Sequence, residues 1–225
     1  MNNLTRKTIL GYLQLIIGLG IMLFAPGGTF DFLQAWAYLL VFALSTALIT
    51  AYLRKKDPQL LVRRVKAGPA AEKVKIQKRI QFFAAIAFIG MFILASLDHR
   101  FSWSDVPLSI VITGDVLVMC GFLIIFVVFK ENTFSAAIIE VATGQKVIST
   151  GPYAIIRHPM YLGALVMLFG TPLALASWWG LLMSFSIASV IVWRILEEEK
   201  FLSIHLPGYS DYKKKVPCRL VPFVW

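Results

Sequence analysis

The stretch PMYLGALVMLFGTPLALASWWGLLMSFSIASVIVW, residues 159–193, decides the fold. A helix crosses the hydrocarbon core of a bilayer with about 20 mostly apolar residues, in a working range of about 17 to 25. Residues 159–193 exceed that range and are interrupted at Ser177, Trp178, Trp179 and Gly180, so the run reads as a helical hairpin. The paired tryptophans suit a membrane interface, where amphipathic rings settle among headgroups. Upstream, residues 8–24, 33–53, 80–97 and 106–129 each meet the length requirement for one span. The expected fold is an all-α, polytopic membrane helix bundle: four spans plus a C-terminal helical hairpin. That makes five to six membrane segments, according to whether the hairpin crosses or re-enters.

Composition agrees with this reading. The chain is 58% hydrophobic and 15% charged, whereas a water-soluble domain carries about 25% charged residues. No linker, repeat or low-complexity tract divides it, so residues 1–225 read as a single membrane domain, with N-terminal spans over 1–129 and the informative polar sequence over 130–225. Arg6 and Lys7 before an apolar run imitate a secretory signal, but Ala25-Pro26-Gly27-Gly28 is a poor cleavage site and the segment reads as a retained helix. Cys120 and Cys218 stand far apart, which suggests neither a disulfide framework nor a metal cluster.

Charge sets the expected orientation. Residues 54–79 hold ten Lys and Arg against Asp57 and Glu72, the loop at 25–32 holds none, and that at 98–105 holds only Arg100. Positive loops stay cytoplasmic, so both termini are expected on that side. The net charge of +10 is placed in loops between spans, where it sets topology and attracts anionic lipid. No nucleic-acid motif accompanies it.

Between Lys130 and Met160 the chain is too polar to span, and it ends in Gly151-Pro152-Tyr153 followed by Arg157-His158-Pro159-Met160-Tyr161-Leu162-Gly163. Pro159 can open a helix at no hydrogen-bond cost, which sets a guanidinium and an imidazole beside free backbone donors, a receptor for carboxylate or phosphate. The bland alternative is headgroup anchoring by juxtamembrane cations. Gly163 would admit another backbone or a flat ligand. At the far foot of the hairpin, Arg194 precedes Glu197 and Glu198 by three and four residues and shares a helix face with them, while Glu199 points elsewhere. Three acids at a helix C-terminus oppose the macrodipole, and a cationic ligand would offset that. A hairpin returns its feet to one side, so the two charged clusters are expected to bracket one cytoplasmic cleft. Asp115, inside the fourth apolar segment, is a candidate for lining a pocket. His99 and His205 read as solvated.

These residues bring a family into view. Gly151-Pro152-Tyr153, the Arg157-to-Gly163 run, the acidic cluster, Leu206-Pro207-Gly208-Tyr209-Ser210-Asp211-Tyr212 and Val216-Pro217 resemble the shared signature of isoprenylcysteine carboxyl methyltransferases and related phospholipid methyltransferases. The resemblance covers roughly residues 130–225 and implies a membrane-embedded transferase that passes a methyl group from S-adenosylmethionine to a lipophilic small-molecule or lipidated acceptor, with the active site on the cytoplasmic side. It implies cofactor contacts at Tyr153, Arg157, His158, Pro159, Tyr161, Gly163 and Glu198, catalytic roles for Arg194 and Glu199, weaker matches at Asn132 and Gln145, and no metal. Leu206-Pro207-Gly208 stands where prenylcysteine enzymes usually carry Phe-Gly, which leaves the acceptor open. Two alternatives remain: an NADPH-dependent membrane reductase, since sterol reductases resemble the same tail, and a non-enzymatic membrane transport or structural protein.

Overall fold

The computed structural model describes residues 3–65, 68, 70–72, 74–222 and 224–225. Eight α-helices account for most of them: α1 (Asn3–Gly27), α2 (Leu33–Lys56), α3 (Pro58–Val65), α4 (Lys75–Phe101), α5 (Leu108–Glu131), α6 (Pro159–Ala174), α7 (Gly180–His205) and α8 (Tyr209–Lys215). No strand occurs among the described residues. Of these helices α1, α2, α4, α5 and α7 are long and apolar enough to cross a membrane, and the chain is an integral, multi-pass membrane protein. Side chains such as Ile17, Leu40, Leu48, Leu123 and Phe185 point outward uncovered. An apolar girdle of this extent needs lipid around it.

The hairpin forms as the sequence predicts, but its arms are unequal. At a rise of 1.5 Å per residue the 16 residues of α6 reach only about 24 Å, short of a hydrocarbon core of about 30 Å. The 26 residues of α7 continue past the start of α6. Ala176 takes a left-handed φ of 55° between them. The turn is pinned from outside: Ser177 Oγ donates to Asp98 Oδ2, Ser104 Oγ donates to the same carboxylate at 2.7 Å, and the Trp178 N–H donates to Ser104 Oγ at 3.1 Å.

Inside the girdle, Leu19, Tyr38, Phe42, Met91, Phe92, Val118 and Leu175 form the central core. The tightest seam joins α5 to α6. A Cβ placed on Gly121 would lie 2.6 Å from the Gly163 carbonyl oxygen, and one on Gly114 2.2 Å from the Ala174 nitrogen. Glycines let membrane helices approach backbone to backbone, which is where their packing energy comes from. Gly121→Val should therefore force the seam apart at a cost of about 1–3 kcal/mol or more, read as a lowered melting temperature in detergent. An unchanged value would mean the two helices do not depend on this approach.

Helix α3 was not foreseen in the basic loop, although its signal is present. Asp57 accepts a hydrogen bond from the Leu60 N–H at 2.9 Å and Pro58 takes the first helical position, a capping acid followed by a proline. His99 is not simply solvated: its ring stacks on Phe32 at 3.8 Å.

Candidate active site

Helix α6 opens at Pro159 with His158 as its N-cap residue, and this start is where three chain segments meet. The C-terminal tail lies alongside it, its carbonyls at Cys218 and Arg219 accepting the Arg157 and His158 N–H groups at 3.0 and 2.9 Å. Those donors are therefore engaged. The guanidinium of Arg157 donates through Nη1 to the Val216 and Pro217 carbonyls at 2.6 and 2.7 Å, and through Nε to Glu199 Oε1 at 2.6 Å. His158 Nε2 stands 3.3 Å from the same oxygen. Arg219 Nε donates to Glu199 Oε2 at 3.1 Å.

The hairpin thus brings Arg157, His158 and Glu199 to one end, as its topology requires. The anion they receive is the chain's own carboxylate. With side chains only 4% exposed on both partners, Arg157 and Glu199 form a buried knot that fastens α6, α7 and the tail together. Arg219 ends the Val216-Pro217-Cys218-Arg219 run that resembles the sterol reductase tail, but nothing in that run pointed to Glu199 as its partner.

Arg194 departs further from expectation. It forms no ion pair with Glu197 or Glu198, its neighbours along the helix face. Glu197 pairs with Lys200 at 2.6 Å. Arg194 Nη2 instead reaches Glu72 Oε1 at 2.9 Å, Nη1 stands 3.4 Å from Gln77 Oε1, and Nε donates to the Tyr161 hydroxyl oxygen at 2.8 Å. Tyr161 passes the contact on, donating to Glu198 Oε2 at 2.5 Å. Glu72 comes from the segment between α3 and α4, its side chain fully buried, and also accepts from Gln81 Nε2 at 2.9 Å. A chain of four charged or phenolic groups, Glu72, Arg194, Tyr161 and Glu198, therefore runs across the end of the bundle.

Two cavities flank that chain. One is a polar cleft of about 110 Å³ lined by Asn132, Gln145, Tyr153, Arg157, His158, Tyr161, Glu198, Tyr209 and Tyr212, among others. The other is an apolar cavity of about 490 Å³ between α2, α4, α5, α6 and α7, with Arg64, Gln81, Arg194 and Glu198 at its polar end. Both share Ala136, Ile138, Ile139, Met160, Tyr161 and Glu198 as a wall. In the cleft, Asn132 Nδ2 donates to the Tyr153 hydroxyl oxygen at 2.9 Å, and the Tyr212 hydroxyl donates to the Tyr153 carbonyl at 2.7 Å. Burial pushes the phenols of Tyr153, Tyr209 and Tyr212 up, so all three stay neutral. The Tyr209 hydroxyl is buried without a hydrogen-bond partner, although the residue lines the cleft. A buried hydroxyl left unpaired costs about 1–3 kcal/mol, which a ligand acceptor would relieve.

The sequence-predicted residues divide accordingly. Tyr153, Arg157, His158, Tyr161 and Glu198 line the polar cleft, and Arg194 and Glu198 line the apolar cavity. Glu199 lines neither. Pro159 is buried in the first turn of α6, and Gly163 lies against α5, where a Cβ would stand 2.9 Å from the Gly121 oxygen. Asp115 has an unpartnered, buried Oδ1 but borders neither cavity. No group of three or more His, Cys, Asp or Glu able to hold a metal ion occurs among the described residues.

Residues 109–206, from the first turn of α5 to the end of α7, match the family model for phospholipid methyltransferase. This segment is similar to the phospholipid methyltransferase family. Within it fall the α5–α6 seam, the Arg157–Glu199 pair and the Arg194–Tyr161–Glu198 chain, while Glu72, Tyr209 and Arg219 lie outside. The chain is also similar to a protein-S-isoprenylcysteine O-methyltransferase of Xenopus laevis, 33% identical over 132 residues, covering 56% of this chain and 43% of that one. A Delta(14)-sterol reductase of Mus musculus is 29% identical over 105 residues, 43% of this chain and 25% of the reductase. The chain spans less than half the length of both curated relatives.

Proposed function

We propose that this chain is a membrane-embedded methyltransferase that carries a methyl group from S-adenosylmethionine to a lipophilic acceptor. The observation that supports it most is the shared wall: a polar cleft and an apolar cavity lie back to back, with Tyr161 and Glu198 common to both. A polar cofactor and a greasy acceptor can then approach one point from opposite sides, the acceptor from the bilayer. The cytoplasmic location of this end follows from the basic loop at 54–79, by the rule that positive loops are retained.

The residues fit the cofactor chemically. S-adenosylmethionine supplies a methyl group on a cationic sulfur. Glu198 offers a carboxylate to that charge, Arg194 and Tyr161 hold the carboxylate in place, and the Tyr209 hydroxyl and the Asn132–Tyr153 pair offer polar contacts to a nucleoside or amino acid portion. Displacement at a sulfonium methyl depends on alignment and on keeping water away. The apolar cavity serves the second need. In this reading Arg194 and Glu198 are the polar pair at the reacting point, and Glu199 positions α6 and the tail.

The sterol reductase likeness favours one other reading, reduction with NADPH at the same cleft. Calorimetric titration of the purified protein in detergent separates the two. Binding of S-adenosylhomocysteine and not NADPH is expected. NADPH binding alone would overturn the methyltransferase reading.

A further inference from the structure

Helix α4 carries Gln77 beside Arg194 in its first turns and Arg100 in its last turn, about 35 Å further along at a rise of about 1.5 Å per residue. At that far end a groove of about 620 Å³ lies between α1 and α2, lined by Ile16, Gly20, Ile21 and Leu39 and, at its mouth, by Phe30 and Trp36, among others. Gly20 makes the room: a Cβ placed there would meet nothing within 4 Å. The lining runs along α1 from Ile16 to just past its end at Gly28, about 18 Å of helix, which matches one leaflet of a hydrocarbon core about 30 Å thick. Arg100 stands at the mouth, its guanidinium carbon 3.6 Å from where a Gly28 Cβ would be. It is the single Lys or Arg in the loops at 25–32 and 98–105. Its Nη1 donates to the Pro26 carbonyl at 3.3 Å and its charge lies over the Phe101 ring, 5.5 Å from the centre. Among the described residues no acid pairs with it.

We propose that this groove is a structural lipid site, holding one glycerophospholipid of the leaflet opposite the cleft, with an acyl chain between α1 and α2 and the phosphate on Arg100. The proposal goes beyond the methyltransferase reading and does not depend on it. Depth supports it first. The Trp36 Nε1–H donates to the Phe30 carbonyl at 3.0 Å, and both rings pack on Phe24, with centres 4.6 and 5.2 Å away. Such an aromatic cluster at a helix end marks headgroup level. Arg100 stands at the same level, where a lipid phosphate lies.

Charge then selects the molecule. A guanidinium fork that is spent only on one carbonyl and a ring meets two phosphate oxygens in parallel. The same two loops hold Asp31, Asp98 and Asp105, so this end of the protein is acidic as a whole and does not gather free anions from solution. A phosphate arrives there when an acyl chain delivers it. A sterol or a free fatty alcohol fills the groove but leaves Arg100 without a counter-ion. A chain seated in the groove covers Ile21 and Leu39, which α1 and α2 otherwise leave facing one another across open space, and a ligand held by the folded state alone stabilises it.

The test titrates the full chain in detergent with phosphatidylcholine and with diacylglycerol of the same chains, and counts retained lipid by native mass spectrometry. Phosphatidylcholine suits the purpose because its quaternary nitrogen has no lone pair to take a methyl group and so cannot act as an acceptor. One molecule should be retained per chain, about tenfold tighter than diacylglycerol, as one charge-assisted hydrogen-bonded pair allows, and it should raise the melting temperature. Arg100→Gln should bring phosphatidylcholine down to the level of diacylglycerol. Gly20→Leu, whose Cβ meets no neighbour, should weaken both lipids about tenfold, the equivalent of two methylenes displaced, without lowering the melting temperature measured before lipid is added. Equal retention of the two lipids by the unaltered protein, or an Arg100→Gln protein that keeps the preference for phosphatidylcholine, would overturn the proposal. A dimer that retains no lipid and that Gly20→Leu dissociates would assign the groove to a second copy of the chain and overturn it as well. Should either variant not fold, the ratio of the two lipids on the unaltered protein still decides.

Discussion

Replacing Glu199 by Ala should cost about 3–5 kcal/mol, enough to unfold the C-terminal half of the protein at moderate temperature. The carboxylate holds the Arg157 guanidinium, the His158 ring and the Arg219 guanidinium at once. Arg157 cannot turn to water when it is lost, because its side chain is 4% exposed and its other bonds go to tail carbonyls. The loss is therefore that of an uncompensated buried cation, well beyond one hydrogen bond. Thermal unfolding in detergent measures it, with Glu197→Ala as the control: Glu197 pairs only with a largely exposed lysine, and surface pairs contribute little. A Glu199→Ala protein as stable as the control would mean the knot does not bind the tail.

The second large effect concerns Arg194. Arg194→Gln should reduce methyl transfer by about a hundredfold to a thousandfold, the usual consequence of removing a group that fixes charge at a reacting point. It should also destabilise, because Glu72 is left buried without its partner. Pairing it with Glu72→Gln separates the two consequences, since two amides can hydrogen-bond where two charges stood. The double variant is expected to regain most of the melting temperature and almost none of the rate of S-adenosylhomocysteine formation. Recovery of both would reduce Arg194 to a structural residue. A milder step, Tyr161→Phe, takes away the hydroxyl between Arg194 and Glu198. It should lower the rate about tenfold or more and also cost about 1–3 kcal/mol of stability, because Arg194 Nε and Glu198 lose a buried partner.

How far the sequence carries depends on the range of the interaction. The long helices were legible because span length and apolar content are properties of one segment. The hairpin was legible because Ser177 to Gly180 break a run too long for one crossing, and the meeting of Arg157 and His158 with Glu199 follows from that topology alone. What faces Arg194 was not legible. Helical spacing nominated Glu197 and Glu198, but a partner 122 positions away, Glu72, displaced them because it is buried and they are closer to solvent. Gly163 shows a related limit: a glycine announces a close approach without saying to what, and here it is the backbone of α5. Arg64 became visible only when cavities could be seen, since it sits in no spacing that singles it out, and Tyr209, part of a signature run, showed its unpaired hydroxyl only in the structure.

The Glu72–Arg194 pair crosses the border of the segment that the family model matches, and this limits how freely that segment can be exchanged. Residues 109–206 carry the guanidinium, and the acid that neutralises it comes from the upstream half. Grafted behind foreign N-terminal helices, the segment would lose the acid that meets Arg194 directly and keep only Glu198, reached through Tyr161. Chimeras between relatives should therefore work only where the donor of the first half also supplies an acid at the position of Glu72. The upstream helices are then more than an anchor, because the Glu72 carboxylate completes a buried ion pair of the matched segment.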